Sequence, residues 1–198
     1  MKAQLKTKGT VDNIIGGSPE GSALSSLIDE DRIVLNFPYT PTIQLQQEVQ
    51  WSALDLIHTN YQPNAFAKRS NPQITVSAPF TCHTTTAANY ALGALTMMRV
   101  ISSMRFGTQD PYRGVVPPIL LFSAYGSQVF QDVPVILKSF SMDFPNDVDY
   151  VKAGDDSQLP ASFTLNLTLE YQVNIKKVRD EYTLADLASG KLIGQGYI

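Results

Sequence analysis

Between residues 162 and 175 the sequence alternates without a break. Phe163, Leu165, Leu167, Leu169, Tyr171, Val173 and Ile175 hold the odd positions, and Ser162, Thr164, Asn166, Thr168, Glu170, Gln172 and Asn174 the even ones. Successive side chains of an extended chain point to opposite faces, so the pattern predicts one strand with an oily side and a wet side. Fourteen residues at ~3.4 Å each span roughly 45 Å, more than twice a common strand. Seven fully buried apolar side chains would contribute on the order of 10–20 kcal/mol, an upper bound before chain entropy. A strand of that length needs long neighbours, or its backbone becomes an edge open to association.

The same period recurs elsewhere. Ile33, Leu35, Phe37 and Tyr39 share one parity. After a break from Pro38 to Pro41, Ile43, Leu45, Val49 and Trp51 do so again, with Gln44, Gln46, Glu48 and Gln50 opposite. These predict two half-buried strands, with Trp51 on the buried side beside Ile43 and Leu45. A third strand is expected over 73–82, with Ile74, Val76, Ala78, Phe80 and Cys82 inward. One long helix follows, over about 86–106. Thr84 to Thr86 can cap it, Ala87, Tyr90, Ala91, Ala94, Leu95, Met98 and Ile101 follow its 3-4 spacing, and Gly107 suits its end. Tyr90, Ala94, Met98 and Ile101 are the candidates to pack against Phe163, Leu165, Leu167 and Leu169.

Strands are expected again over 119–124 and 129–144, with a turn at Tyr125, Gly126 and Ser127. In the second, Val133, Val135 and Leu137 share one parity but Phe140, Met142 and Phe144 the other. A bulge near Lys138 and Ser139 would exchange the faces in this way. Residues 146–158 read as an acidic loop, and 184–189 as a short C-terminal helix started by Thr183 and Asp186 and ended at Gly190. Residues 1–31, with a Gly- and Ser-rich cluster over 16–22, read as an arm with a loop, and 32–198 as a single domain. The expected class is mainly β, with one long flanking helix and a short C-terminal one.

The chemistry is sparse. With 43% hydrophobic and 17% charged residues the chain is not of disordered type, and a net charge of -3 does not suit a dedicated nucleic-acid clamp. The single cysteine, Cys82, allows no internal disulfide, and the first residues lack the apolar core of a secretory signal. No run is long enough to cross a bilayer, so no membrane association is expected. Two histidines and one cysteine make a poor metal inventory. Cys82 and His83 would face opposite ways on a strand, and His58 reads as a hydrogen-bonded packing residue. Asp143, Asp147, Asp149, Asp155 and Asp156 do not follow a calcium-loop spacing. Neither a Gly-x-Ser-x-Gly elbow nor a phosphate loop is present. The expectation is therefore no catalytic, metal or cofactor site, and a protein that works by assembling.

The polar strand faces fit that expectation. Gln44, Gln46, Glu48 and Gln50, with Asn166, Thr168, Glu170 and Gln172, are candidates to line a wet, slightly negative wall. DNA would slide past such a wall, because phosphate affinity comes largely from cations that displace counterions. An ordinary exposed sheet face would have the same composition.

Several stretches resemble the tail-tube-fold proteins of tailed-bacteriophage baseplates, especially the rings that initiate the tube in contractile tails. They are Ile57-His58-Thr59-Asn60-Tyr61-Gln62, and Gln73-Ile74-Thr75-Val76-Ser77-Ala78-Pro79-Phe80-Thr81 running into the helix. Val133-Pro134-Val135-Ile136-Leu137-Lys138-Ser139-Phe140 and Phe144-Pro145-Asn146-Asp147-Val148-Asp149-Tyr150-Val151 follow. Last come Leu159-Pro160 before the alternating strand and Ala188-Ser189-Gly190-Lys191-Leu192 near the end. The likeness runs from about Arg32 to the C-terminus. It implies a small β-sandwich or barrel-like subunit with a flanking helix, closed into a homohexameric virion ring in the tail or baseplate. The ring would be assembled in the host cytoplasm, with joined sheets lining a channel for DNA ejection. Tail tube and baseplate hub proteins would be its partners above and below. Residues 1–31 match nothing in that family. Alternatives are the repeating tail tube protein itself and, from other classes, a carbohydrate- or ligand-binding β-sandwich and a hydrolase with an unrecognised site.

Overall fold

A computed structural model describes residues 3–15, 22–110, 112–154 and 156–198. The chain is mainly β, with one long helix and short helices near the C-terminus. Its strands are β1 (Gln4–Thr7), β2 (Ile28–Asp29), β3 (Arg32–Asn36), β4 (Thr42–Gln46), β5 (Val49–Ala53), β6 (Asn64–Arg69), β7 (Gln73–Thr81), β8 (Leu120–Ala124), β9 (Phe130–Asp143), β10 (Tyr150–Ala153), β11 (Ser157–Pro160) and β12 (Ser162–Tyr171). The helices are α1 (Val11–Ile15), α2 (Thr85–Ile101), α3 (Ile175–Glu181) and α4 (Leu184–Ala188). Eight strands form one open antiparallel sheet in the order β2-β3-β1-β8-β9-β12-β7-β4, and the pairs β5-β6 and β10-β11 stand apart.

The alternating strand lies deep in this sheet, between β9 and β7. Phe163, Leu165, Leu167 and Leu169 are buried, as are Ile74, Val76, Ala78, Phe80 and Cys82 beside them on β7. Helix α2 shares this core through Ala88, Ala91, Ala94, Met97, Met98 and Ile101. Tyr90 is half-buried at its margin, its hydroxyl donating to the Asn36 carbonyl and accepting from the Asn36 amide, both at 2.8 Å. Phe80 stacks on Phe163 with ring centres 5.2 Å apart. The Thr84 hydroxyl accepts from the Ala87 amide at 3.2 Å and so starts α2 as expected.

The expected bulge is present. Thr168 pairs with Ser139 and Leu169 with Leu137, which leaves Lys138 as the extra residue. Below it Val133 and Val135 are buried, and above it Phe140 and Met142 take over the inner face, packed against the core.

Five expectations about the secondary structure and its burial need correction. The stretch read as an arm supplies β1, which lies between β3 and β8 with Leu5 fully buried. It also supplies α1, β2 and a 3-10 turn (Ala23–Leu27) that packs on α2 with Leu24 and Leu27 buried. Residues 16–21 of its glycine cluster lie outside the described residues. Second, β12 stops at Tyr171 rather than 175, because the Asn174 side chain accepts from the Lys176 amide at 3.0 Å and starts α3. Ile175 is consequently 82% exposed. Third, α2 ends at Ile101, where the Ser102 and Ser103 hydroxyls turn back to the Arg99 carbonyl at 3.1 and 2.7 Å. Fourth, the acidic stretch is a loop only over 146–149, and from Tyr150 it enters the β10-β11 hairpin. It is anchored by buried Ala153 and Leu159 and by the Gly154 amide donating to Asn89 Oδ1 at 2.7 Å. Fifth, the apolar parity of β4 and β5 is covered only at Ile43, which packs against the core; Leu45 is 46% and Trp51 60% exposed.

Candidate functional site

The outer face of four adjacent strands is a lattice of polar side chains. Across β4, β7, β12 and β9 the register gives one row of Thr42, Ser77, Asn166 and Ser141, and a second of Gln44, Thr75, Thr168 and Ser139. A third row holds Gln46, Gln73, Glu170 and Ile136. Neighbouring strands lie about 4.8 Å apart, so each row crosses roughly 14 Å of sheet. These side chains are exposed or half-buried, while the alternate residues of β7 and β12 are spent on the core.

Several groups in the lattice hold one another. Ser77 Oγ donates to Asn166 Oδ1 at 2.7 Å, and Asn166 Nδ2 donates to Asp143 Oδ2 at 2.8 Å. Lys138, the bulge residue, reaches Glu170 at 2.9 Å. Hydrogen bonding from Lys138 is the main cause holding the Glu170 carboxyl below its ordinary range, with Lys138's charge and Asn71 acting in the same direction. The cation of this face is therefore matched by an acid, and the surface offers hydroxyls and amides rather than positive charge.

Five of the expected lining residues, Gln44, Gln46, Asn166, Thr168 and Glu170, come together here. The other three do not. Glu48 lies in the junction between β4 and β5, where its carbonyl accepts from the Ser70 amide at 3.0 Å. Gln50 belongs to β5, in a separate two-stranded sheet, and its amide reaches Glu48 Oε1 at 3.4 Å. Gln172 lies past the end of β12, its backbone amide donating to the Pro134 carbonyl at 2.9 Å. The face also contains Gln73, Thr75, Ser77, Ser139 and Ser141, missed in the sequence reading. The off-parity positions of the inward run Ile74, Val76 and Ala78 carried the signal for the first three.

A second feature departs from this face. The junction at residues 47–48 and 70–72 leads from β4 and β7 into β5 and β6, where Arg69 Nη2 donates to Gln47 Oε1 at 2.7 Å. The β5-β6 hairpin carries Trp51 and Phe66 edge to face at 5.6 Å, each 60% exposed. At its tip Ile57 is 84% and Tyr61 88% exposed. His58 is exposed there with a positive φ of 60°, so it is a turn residue and not the packing residue expected.

Cys82 is buried and His83 exposed, as opposite faces require, and burial pushes the Cys82 thiol up from its ordinary value. Among the described residues no three of His, Cys, Asp and Glu come together as a metal site. No helix of the described residues is long and apolar enough to cross a membrane. Neither a family model nor a curated protein sequence matches this chain.

Proposed function

We propose that this chain is a structural subunit of a bacteriophage tail or baseplate. In this reading it closes into a hexameric ring whose polar sheet face lines the passage for DNA. The observation that carries the reading is the in-register lattice of hydroxyl and amide side chains over β4, β7, β12 and β9. Its one lysine is neutralised by Glu170 at 2.9 Å. DNA binding requires unpaired cations, so a wall of this kind wets the duplex without holding it. The open sheet supports the same reading: β4, five residues long, ends it on one side and β2 on the other. An exposed edge is blunted when neighbouring copies continue the sheet around a ring.

Light scattering and electron microscopy of the purified chain at rising concentration test the assembly. Hexameric rings are expected, and a monomer that persists throughout overturns the reading. Replacing Gln44, Gln46, Gln73 and Thr75 by Lys should leave the rings intact while adding salt-dependent DNA retention absent from the parent. Unchanged DNA behaviour in such rings would remove the face from the channel.

The exposed Trp51 favours a second reading, a sugar-binding surface, because aromatic rings pack on sugar faces. Trp51 and Phe66 meet at 82° rather than forming a flat platform, however. Quenching of Trp51 fluorescence by oligosaccharides in the unassembled chain would turn the balance to that reading.

A further inference from the structure

Two clefts of different character adjoin where β1 ends and β8 begins. The Lys8 amide donates to the Ile119 carbonyl at 3.0 Å, and these two residues border both clefts. The first, about 300 Å³, lies between α1, the end of α2 and the loop that follows it, with apolar walls of Ile14, Val100, Val115, Val116 and Ile119. The second, about 410 Å³, brings in Gln172, Asn174, Lys177 and Gln195 and is wetter. Small-ligand sites are concave and mostly apolar, with a few convergent polar groups.

The apolar cleft is preformed. Its loop wall is pinned by Arg105, whose Nε and Nη2 donate to the two carboxylate oxygens of Asp110 at 2.9 and 2.8 Å. The Arg105 amide donates to the Val115 carbonyl at 3.0 Å, and the Gly114 amide to the Arg105 carbonyl at 2.8 Å. Pro117 and Pro118 then stiffen the chain after Val116, because the proline ring fixes φ.

Its charge runs against that of the whole chain. The net charge is -3, yet the charged residues that line this cleft, Lys8 and Arg105, are both cations. Nearby Lys6 is taken by Asp132 at 2.6 Å, and Arg105 by Asp110. Among the described residues the exposed Lys8 ammonium has neither an ion pair nor a hydrogen bond. A cationic amphiphile would be repelled at this mouth. A small anion without a tail would leave the oily walls in water, and a neutral apolar molecule would gain nothing from Lys8. An acid with a hydrocarbon chain satisfies both halves. We propose that this cleft binds a single-chain aliphatic carboxylate. Its alkyl chain lies along Val100, Val115 and Val116, and its head sits at the mouth beside Lys8, toward the wetter cleft. The site is recessed, so it takes a detached chain from solution and not the surface of a bilayer.

Isothermal titration calorimetry of the unassembled full chain with sodium hexanoate, octanoate and decanoate, each below its micellar concentration, tests the site. One saturable site per chain is expected, with up to about fourfold gained per added CH2 as hydrocarbon leaves water. Decanol and decyltrimethylammonium should bind more weakly than decanoate. Lys8→Met keeps the stem and removes the charge, so it should weaken decanoate by about threefold, and Lys8→Arg should restore it. Val116 is 69% exposed, so Val116→Asp leaves the core untouched and should abolish binding by setting a like charge beside the alkyl chain. A flat chain-length series, equal affinity for acid and ammonium, an unchanged Lys8→Met or uptake of many molecules per chain overturns the proposal. Binding to phosphatidylglycerol vesicles without binding of soluble decanoate would make the cleft a membrane contact. Loss of decanoate binding as protein concentration rises would make it a seat for a second copy. Either result also overturns it, and none of these readouts depends on ring formation.

Discussion

Strands β12 and β5 are written in the same code and end in opposite circumstances. Both alternate apolar with polar residues, and both pair in antiparallel fashion. On β12 the apolar side meets α2 and closes a core, so Leu165, Leu167 and Leu169 are buried. On β5 no second layer arrives, and Val49 and Trp51 remain 46% and 60% exposed. Periodicity states which side chains share a face. Whether that face gains a partner depends on where the helix lands, and a strand's own residues do not encode that.

The comparison breaks most sharply at its buried end. Leu167→Ala should cost about 2–5 kcal/mol, because transfer free energy is lost and a cavity remains, whereas Trp51→Ala should shift stability by no more than about 1 kcal/mol. Denaturant midpoints measured on the unassembled chains check both; equal losses would mean that β5 is covered within a single copy. A smaller effect tests the layer that makes β12 different. Gly93 faces the 3-10 turn so closely that an added Cβ would lie 2.6 Å from the Ala23 carbonyl oxygen. Gly93→Ala should therefore destabilise by about 1–3 kcal/mol in the same assay, although alanine is the better helix former. A neutral result would detach the N-terminal segment from the helix.

The smallest effect lies on the wet face of β12. Because Lys138 lowers the Glu170 carboxyl, the pair's contribution is complete above the ordinary carboxylate range. It is lost as pH falls through the lowered value. The pair is partly exposed, so the contribution is at most about 1 kcal/mol. Carbon-detected NMR titration should find Glu170 ionising at lower pH than a free glutamate, and Lys138→Met should return it upward. An unmoved titration would remove Lys138 as the cause.

Much of the fold was legible in the residues. The inward runs of β7 and β12, the helix with its Thr84 cap, and the phase change at Lys138 all follow from local rules, although β12 and the helix each stop short of where their periodicity runs. The misses share a different cause. Residues 4–7 are too few to establish a period, yet β1 occupies the middle of the sheet because β3 and β8 both pair with it. Residues 146–158 conceal Val151 and Ala153 among acids, and only contact with α2 makes that hairpin worth folding. The site shows the same division. Alternation selected Gln44, Gln46, Asn166, Thr168 and Glu170, while Glu48, Gln50 and Gln172 fell away because their strands had already bent or ended.

The surplus residue at Lys138 ties two otherwise separate matters together. It resets the phase of β9, and its ammonium silences the nearest carboxylate on the outer face. Replacing it by another residue type alters the electrostatics and keeps the strand's bookkeeping. Losing the codon altogether would turn one half of β9 inside out, so this position is constrained by chain length first and by chemistry second.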